Sequence, residues 1–377
     1  MGAKFEPPIP LIRPTLPDMS KILEMFRQAS EAGIVTSGQI VAALEHEACR
    51  LTGASHAVAV SNCTSGLMLA FAAMDFPDGA EVVVPSFTFA ATVEAIFWNR
   101  LVPVYVDCLP GTMTIDPDQV VKAVGPRTVA VCPVNIFGLP PDIDRLHDIS
   151  VRYSIPLLFD SAQGLGSRFH DKPAGAFGLC EVFSLSPTKV ITAIEGGLVT
   201  TNDRILAEKL RSMRDYGKGP DGEDMAYVGL SARMSELHGA VGLLSLRNAE
   251  RLIKARLRLI GRYRARVATF RGCRVQDFPV DRTSSGNYFT VLIGDEARLK
   301  RDAVYEKMKS HNIQTKRYFH PPVHAQTAFK KRPHRIVGEL PNTCTASRES
   351  LALPLYSHLT DQQQDRVCED LAAFLSW

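Results

Sequence analysis

The chain has 377 residues, of which 45% are hydrophobic and 22% are charged, and its formal net charge is +3. This length predicts one large domain with a smaller one attached. The small charge gives no reason to expect binding to nucleic acid or to a membrane surface. No stretch approaches the roughly 20 apolar residues of a membrane span, and the Pro-rich segment 1–17 lacks the apolar core of a signal peptide. A cytoplasmic protein is therefore expected.

The eight Cys residues are scattered along the chain without Cys-x-x-Cys spacing. This pattern argues against a zinc site or a dithiol redox site. Buried free thiols in a reducing compartment are the expected alternative.

Between about residues 55 and 205, short β-branched runs alternate with segments of helical periodicity. Strands are predicted at 56–60, 81–84, 101–106, 128–134, 155–159, 182–184 and 197–201, and helices at 65–74, 90–98, 117–124 and 143–153. This alternation predicts βαβ units and a mostly parallel central sheet flanked by helices. The strands are apolar throughout, as expected for burial on both faces.

Beyond about residue 203 the pattern becomes mainly helical. Helices are predicted at 205–214 and at 235–267, the second being either one long helix or two. A smaller α+β segment begins at the strand 291–293. We therefore divide the α/β chain into a large domain at 1–250 and a small C-terminal domain at 251–377.

Two polar segments follow predicted strands, where ligands bind in open α/β sheets. Thr64 and Ser65 begin a helix, where hydroxyl and backbone N–H groups can hold a phosphate, although an ordinary helix cap explains this segment better on its own. Asp160 ends an apolar strand, with Gln163 three residues later. Such an Asp can cap a helix, bind a metal or pair with a cationic ring nitrogen, but no nearby His or acidic cluster offers a metal site.

A third segment, 183–189, contains Ser184 and ends in Lys189, which is followed by Gly196 and Gly197. A surface lysine is the ordinary interpretation, but a lysine in a pocket loses its charge readily and can form a Schiff base. A phosphate clasp, a carboxylate for a ring nitrogen and an amine for an aldehyde together match pyridoxal phosphate. Asp160 would keep its ring protonated, and Lys189 would hold the aldehyde and then move a proton.

The ordered motifs resemble the DegT-type family of sugar aminotransferases, which are pyridoxal-phosphate enzymes of fold-type I, from about Gly33 to the C-terminus. The matching segments are 36–38, 64–65, 85–89, 160–163, 184–189, 229–237 and 347–356. The resemblance implies that Thr64, Ser65 and Ser184 contact the cofactor phosphate. It further implies that Phe89 stacks on the ring, that Asp160 and Gln163 contact its nitrogen and oxygen, and that Lys189 is the Schiff-base lysine.

The chain also departs from the family pattern. In the segment 229–237, which by resemblance reaches the partner subunit's site in a homodimer, Ser231 replaces a usual Asn that donates to the phosphate, whereas Arg233 is retained. Asn135 and Tyr216 stand where His is common, and Cys63 replaces a usual Gly. These departures bear on the substrate and on the phosphate contacts rather than on the cofactor.

Candidate substrate residues lie in the segment 318–324. His324 matches a substrate-pocket His of the family, and a loop His without a partner is the alternative interpretation. Tyr318, His320 and Arg233 are further candidates. The basic stretch 251–266 has apolar residues near helical spacing and is interpreted as a solvated amphipathic helix.

The resemblance implies transamination of a keto-sugar nucleotide to an amino-sugar nucleotide, with glutamate as amino donor. A keto-cyclitol aminotransferase is one alternative. A pyridoxamine-dependent dehydratase is another, but that branch usually carries His in place of Lys189. The third is a regulatory protein that binds the cofactor without catalysis.

Overall fold

The computed structural model describes residues 8–376. Residues 1–7 and 377, which include the start of the Pro-rich segment and the outer ends of both predicted domains, lie outside the described residues. The helices are α1 (Met19–Glu31), α2 (Gln39–Thr52), α3 (Cys63–Ala72), α4 (Ala90–Trp98), α5 (Pro117–Ala123), α6 (Ile143–Tyr153), α7 (Arg204–Met213), α8 (Glu236–Arg247), α9 (Ala249–Val267), α10 (Arg301–Ser310), α11 (Pro341–Glu349) and α12 (Asp361–Leu375), with a 3-10 turn at Val323–Ala325.

The strands are short, as is usual in an α/β protein. They are β1 (His56–Val60), β2 (Glu81–Pro85), β3 (Val102–Val106), β4 (Thr128–Val131), β5 (Leu158–Asp160), β6 (Arg168–Phe169), β7 (Lys172–Pro173), β8 (Cys180–Ser184), β9 (Gly197–Thr201), β10 (Cys273–Val275), β11 (Arg282–Thr283), β12 (Phe289–Ile293), β13 (Arg335–Ile336) and β14 (Ser350–Leu353).

The central sheet has two four-stranded halves, ordered β1-β9-β8-β5 and β4-β2-β3-β13. Parallel bridges from Val131 to Leu157 and from Val134 to Asp160 connect β4 and its continuation to β5. All neighbours in this arrangement run parallel except β9, which is antiparallel to both β1 and β8. The predicted α/β class with a mostly parallel sheet is therefore confirmed.

Helices cover both faces of this sheet, because its strands are apolar on both sides. Along β2, Val82 and Val84 pack in a cluster with residues of α3, α4 and α7, whereas Val83 packs in another with residues of α5 and α6. Gly66 allows α3 to approach closely, since a Cβ there would lie 2.8 Å from Cγ1 of Val182. The N-terminus of α3 is thereby held beside the ends of β8 and β9.

The C-terminal part contains a three-stranded antiparallel sheet, β10-β12-β14. Residues of α9, α10 and α12 pack with it in a separate apolar cluster. Leu259, Ile260 and Tyr263 form the buried side of the basic helix α9, and Arg262 on its outer side pairs with Asp361 and Asp365.

The predicted elements differ from the observed ones mainly at their ends. The stretch 235–267 is two helices that meet at Asn248, close to the domain boundary predicted at residue 250, and that boundary stays a prediction. The strand predicted at 155–159 is instead Leu158–Asp160, beginning two residues after Pro156, which has no N–H to donate to a neighbouring strand. Helices α1 and α2 have no counterpart among the predicted elements. No helix within residues 8–376 is long and apolar enough to cross a membrane.

Candidate active site

A cavity of about 290 Å³ opens where the carboxyl ends of β5 and β8 meet the N-terminus of α3. Its wall contains residues predicted from four separate sequence motifs and from the later segment 318–324. The predicted site residues that line it are Thr64, Phe89, Asp160, Gln163, Ser184, Lys189 and Tyr318. Asp160 and Lys189, whose separation would have contradicted the proposed chemistry, thus share one cavity.

The first turn of α3 forms one end of the cavity. Asn62 is the N-cap, and its Oδ1 accepts a hydrogen bond of 2.8 Å from the backbone N–H of Ser65. Gly197 packs directly against this turn, because a Cβ at that position would lie 2.7 Å from the carbonyl carbon of Asn62. A helix N-terminus presents backbone N–H groups and a partial positive charge. Together with the Thr64 side chain, this end is suited to a phosphate group.

The carboxylate of Asp160 is only 4% exposed. Its Oδ2 accepts a hydrogen bond of 2.6 Å from Thr92 Oγ1, and its Oδ1 accepts one of 3.0 Å from the backbone N–H of Ala162. Thr88 Oγ1 lies 2.8 Å from Thr92 Oγ1 and extends this chain of hydroxyls to the cavity wall. Burial raises the pKa of Asp160, and these hydrogen bonds with the charge of Lys189 offset only part of that rise.

We expect Thr92→Val to shift the acid limb of the pH profile of kcat/KM to higher pH. The lost hydroxyl donates to the ionised carboxylate, so its removal raises the pKa of Asp160 further, and the carboxylate becomes protonated at a higher pH. A hydrogen bond to a charged group contributes about 1.5–3 kcal/mol, which corresponds to roughly a 10- to 100-fold loss of kcat/KM near neutral pH. Thr92→Ser keeps the donor and should retain the wild-type profile. An unshifted acid limb in Thr92→Val would contradict this role.

Lys189 is half-buried on the loop that joins β8 to β9. The loop is fixed on both sides of it, since its own N–H donates to the carbonyl of Ser186 at 3.0 Å and the N–H of Val190 donates to Asn287 Oδ1 at 3.3 Å. Its Nζ lies 6.0 Å from the ring centroid of Tyr288. Burial raises the pKa of Tyr288, but the charge of Lys189 and hydrogen bonds from Thr188 and Tyr318 outweigh burial and leave it below its ordinary value.

The remaining cavity wall contains groups suited to a flat ring. Phe89 is 54% exposed even though it is aromatic, and its ring lies 6.2 Å from that of Phe319. Gln163 uses its Oε1 to accept a hydrogen bond of 2.7 Å from the backbone N–H of Phe137, which orients its amide nitrogen as the remaining donor.

The predicted residues Ser65, Ser231, Arg233, His320 and His324 do not belong to the cavity wall that residues 8–376 form. The Oγ of Ser65 is 3.4 Å from Ser61 Oγ in the first turn of α3. His324 is half-buried with Nδ1 2.6 Å from Ser86 Oγ, and burial with nearby His334 lowers its pKa.

His320, Ser231 and Arg233 lie at or near the surface. His320 is exposed, and its Nδ1 is 3.2 Å from Ser347 Oγ. Ser231 is also exposed, in a segment that bridges back to Asp215. Arg233 donates to Asp215 at 2.7 Å and stacks over the ring of Tyr216. Their predicted contacts with cofactor or substrate stay predictions.

The cavity and supporting residues that were not among the predicted site residues include Thr92, Tyr288, Lys316 and Phe319. Thr92 lies inside α4, and its sequence context predicts an ordinary core residue. Tyr288, Lys316 and Phe319 are far along the chain from Lys189, and no local motif connects them to it. Proximity in the fold is the signal that identifies them.

The donor set fits pyridoxal phosphate better than a metal. No group of three or more His, Cys, Asp or Glu residues within 8–376 is placed to hold a metal ion. A carboxylate as buried as that of Asp160 requires a positive partner, and the cavity also offers a helix N-terminus, an exposed aromatic ring and an amine. These groups match the ring nitrogen, phosphate, ring face and aldehyde of that cofactor.

The comparisons with known proteins agree with this cofactor. Residues 18–372 match the DegT/DnrJ/EryC1/StrS aminotransferase family. The GDP-perosamine synthase of Caulobacter vibrioides is 31% identical over 337 residues, which span 89% of this chain and 90% of the relative.

Two solved structures have the same fold over nearly the whole chain. DesI, crystallised in the presence of its TDP-sugar product, is 34% identical with a TM-score of 0.92, covering 99% of this chain and 94% of its own. S. venezuelae DesV, in complex with a ketimine intermediate, is 28% identical with a TM-score of 0.89, covering 97% of this chain and 99% of its own. The chain belongs to the DegT/DnrJ/EryC1/StrS family and is a pyridoxal-phosphate-dependent aminotransferase.

Proposed function

We propose that the protein transfers an amino group from glutamate to a keto sugar attached to a nucleotide, giving an amino-sugar nucleotide. The observation that carries this proposal is the placement of Lys189 and Asp160 in one cavity beside the N-terminus of α3. The names of the relatives support the substrate class, since one is a GDP-perosamine synthase and another was crystallised with a TDP-sugar product.

The bound cofactor supplies an electron sink that makes a proton on the substrate carbon acidic enough to be removed. The amine of Lys189 would hold the cofactor through its aldehyde. Once an incoming substrate amine displaces it, the freed amine would take a proton from one carbon and return it to another. Asp160 would keep the ring nitrogen of the bound cofactor protonated. Gln163 would donate to the ring oxygen, and Phe89 would cover the ring face.

The phosphate is proposed to lie at the first turn of α3, with Thr64, Ser65 and Ser184 as its contacts. The fixed positions of Asn62 and Gly197 around this turn support that assignment.

The protein is proposed to act as a cytoplasmic homodimer with shared active sites. Arg233 contacts Asp215 and Tyr216 and lies outside the cavity of its own subunit. We propose that it and Ser231 complete the site of the partner subunit. Tyr318, His320 and His324 are proposed substrate contacts, of which Tyr318 lines the cavity directly.

The proposal is tested by absorbance spectroscopy of the cofactor-loaded protein. Adding glutamate should shift the cofactor band, and adding a keto-sugar nucleotide from a panel should then restore it with formation of an amino sugar. A band that does not respond to any amino donor would support the binding-protein alternative. If only keto-cyclitols restored the band, the protein would be a keto-cyclitol aminotransferase rather than one that acts on nucleotide-linked sugars.

A further inference from the structure

Lys316 occupies a fixed position in the wall of the same cavity as Lys189. Its backbone N–H donates to the carbonyl of Ala352 at 3.2 Å, and the N–H of Ala352 donates back to the carbonyl of Lys316 at 2.8 Å. This antiparallel bridge adds the residue to the edge of β14. The backbone of Lys316 is therefore anchored to the small antiparallel sheet, and its side chain extends from this fixed point.

Neighbouring side chains show which way Lys316 points. Arg317 projects to the other side of the extended segment, where it donates to Asp302 at 3.0 Å and stacks over the ring of Tyr305. Because side chains alternate along an extended chain, Lys316 and Tyr318 share the side that faces the cavity. The Nζ of Lys316 lies 4.9 Å from the ring centroid of Tyr318.

The two lysines are connected through a pair of phenol rings. The ring of Tyr318 is 5.0 Å from that of Tyr288, and Tyr288 in turn lies beside Lys189. Burial raises the pKa of Tyr288, and the charge of Lys316 helps to lower it, although less than Lys189 and the hydroxyl donors do. The ammonium group of Lys316 is thus directed toward the reaction site rather than away from it.

The charge of Lys316 is not matched within the described chain. The ion pairs among residues 8–376 do not include it, whereas its neighbour Arg317 has Asp302. The other charged side chains of the cavity wall are Asp160, Lys189 and Glu195. Asp160 and Lys189 are used by the cofactor in the proposed function, and Glu195 is exposed. An ammonium group over an aromatic face is left as a receptor for anionic oxygens.

We propose that Lys316 binds an anionic group of the substrate while the reacting carbon lies at Lys189. The group is either a carboxylate of the amino donor or the diphosphate of the sugar nucleotide, both of which present anionic oxygens to an ammonium donor. This inference rests on the proposed function and adds a substrate-binding residue to it.

The two sources are distinguished by measuring each half-reaction separately with the cofactor-loaded full-length protein. Glutamate is titrated into the pyridoxal form, and the keto-sugar nucleotide into the pyridoxamine form, with the absorbance change giving an apparent Kd and a limiting rate. Lys316→Met keeps the length and the packing over Tyr318 but removes the charge. The variant should bind one of the two ligands about 10- to 100-fold more weakly, which is the effect of losing a charge-assisted hydrogen bond.

The limiting rate at saturation should change less than about threefold, since Lys316 acts on binding. Lys316→Arg should restore most of the affinity. Lys307→Met, on the exposed surface of α10, changes the net charge equally and should leave both Kd values unaltered. A higher Kd for glutamate alone would show that Lys316 binds the donor carboxylate. A higher Kd for the sugar nucleotide alone would show that it binds the diphosphate.

Wild-type Kd values for both ligands in Lys316→Met would overturn the proposal for Lys316 while leaving the proposed function intact. A wild-type protein that performs neither half-reaction would instead overturn the proposed function. An unchanged midpoint of urea unfolding in Lys316→Met, expected for an exposed side chain, excludes a purely structural effect.

Discussion

Replacing Lys189 with alanine is expected to reduce turnover at least about 10³-fold, because the variant loses both the amine that holds the cofactor and the group that moves the proton. The neighbouring wall of the cavity should remain in place, since the loop is fixed by backbone hydrogen bonds at Lys189 and Val190 that do not use the Lys189 side chain. Turnover is measured with glutamate and the best keto-sugar nucleotide from the panel.

A second measurement identifies the lysine that holds the cofactor. After chemical reduction of the loaded protein, mass spectrometry should find the cofactor attached at residue 189 of the wild type and absent from that position in Lys189→Ala. Lys330→Ala, at an exposed position in a loop, should retain both attachment and turnover. Normal turnover in Lys189→Ala would refute the assignment of this lysine.

The position of Lys189 follows from a feature of the sheet that the sequence pattern did not reveal. The segment between β8 and β9 contains no helix, and a parallel crossover normally requires one. β9 therefore returns antiparallel to β8, and the connecting loop stays at the carboxyl end of β8, where Asp160 ends the adjacent strand β5. The apolar run 197–201 predicts a strand but carries no information about its direction.

Residues at strand ends could be predicted because each follows a local apolar run. Asp160 and Ser184 end β5 and β8, and Phe89 follows β2 just before α4. Lys316 and Tyr288 could not be predicted in this way, since they reach the cavity from the C-terminal sheet, far along the sequence from Lys189. Their place depends on how the two sheets pack, which short-range periodicity does not encode.

Asp160→Asn is expected to lower kcat/KM by about 10²–10³-fold, the rate equivalent of the roughly 3–5 kcal/mol at stake when one partner of a buried charge pair is removed. The single amide oxygen can accept only one of the two hydrogen bonds that the carboxylate accepts from Thr92 and Ala162, and the neutral amide cannot stabilise a cationic ring nitrogen. The cofactor should still attach to Lys189. The pH dependence of its absorbance band should therefore change while attachment, measured by mass spectrometry, does not. Asp221→Asn, in an exposed loop, serves as the control.

Although Asp160→Asn is expected to lose activity, we expect the cofactor-free variant to be at least as stable as the wild type at high pH. Burial raises the pKa of Asp160 in the folded chain, so in the range between the unfolded and folded pKa values the folded state holds a proton that the unfolded state has lost. The stability contribution of this group is full below the unfolded pKa and is lost as pH rises through the folded pKa. Asp160→Asn has no such loss, so above the folded pKa it should unfold at a urea concentration equal to or higher than that of the wild type. A variant that is both inactive and clearly less stable at high pH would show that the carboxylate maintains the fold rather than the charge of the ring.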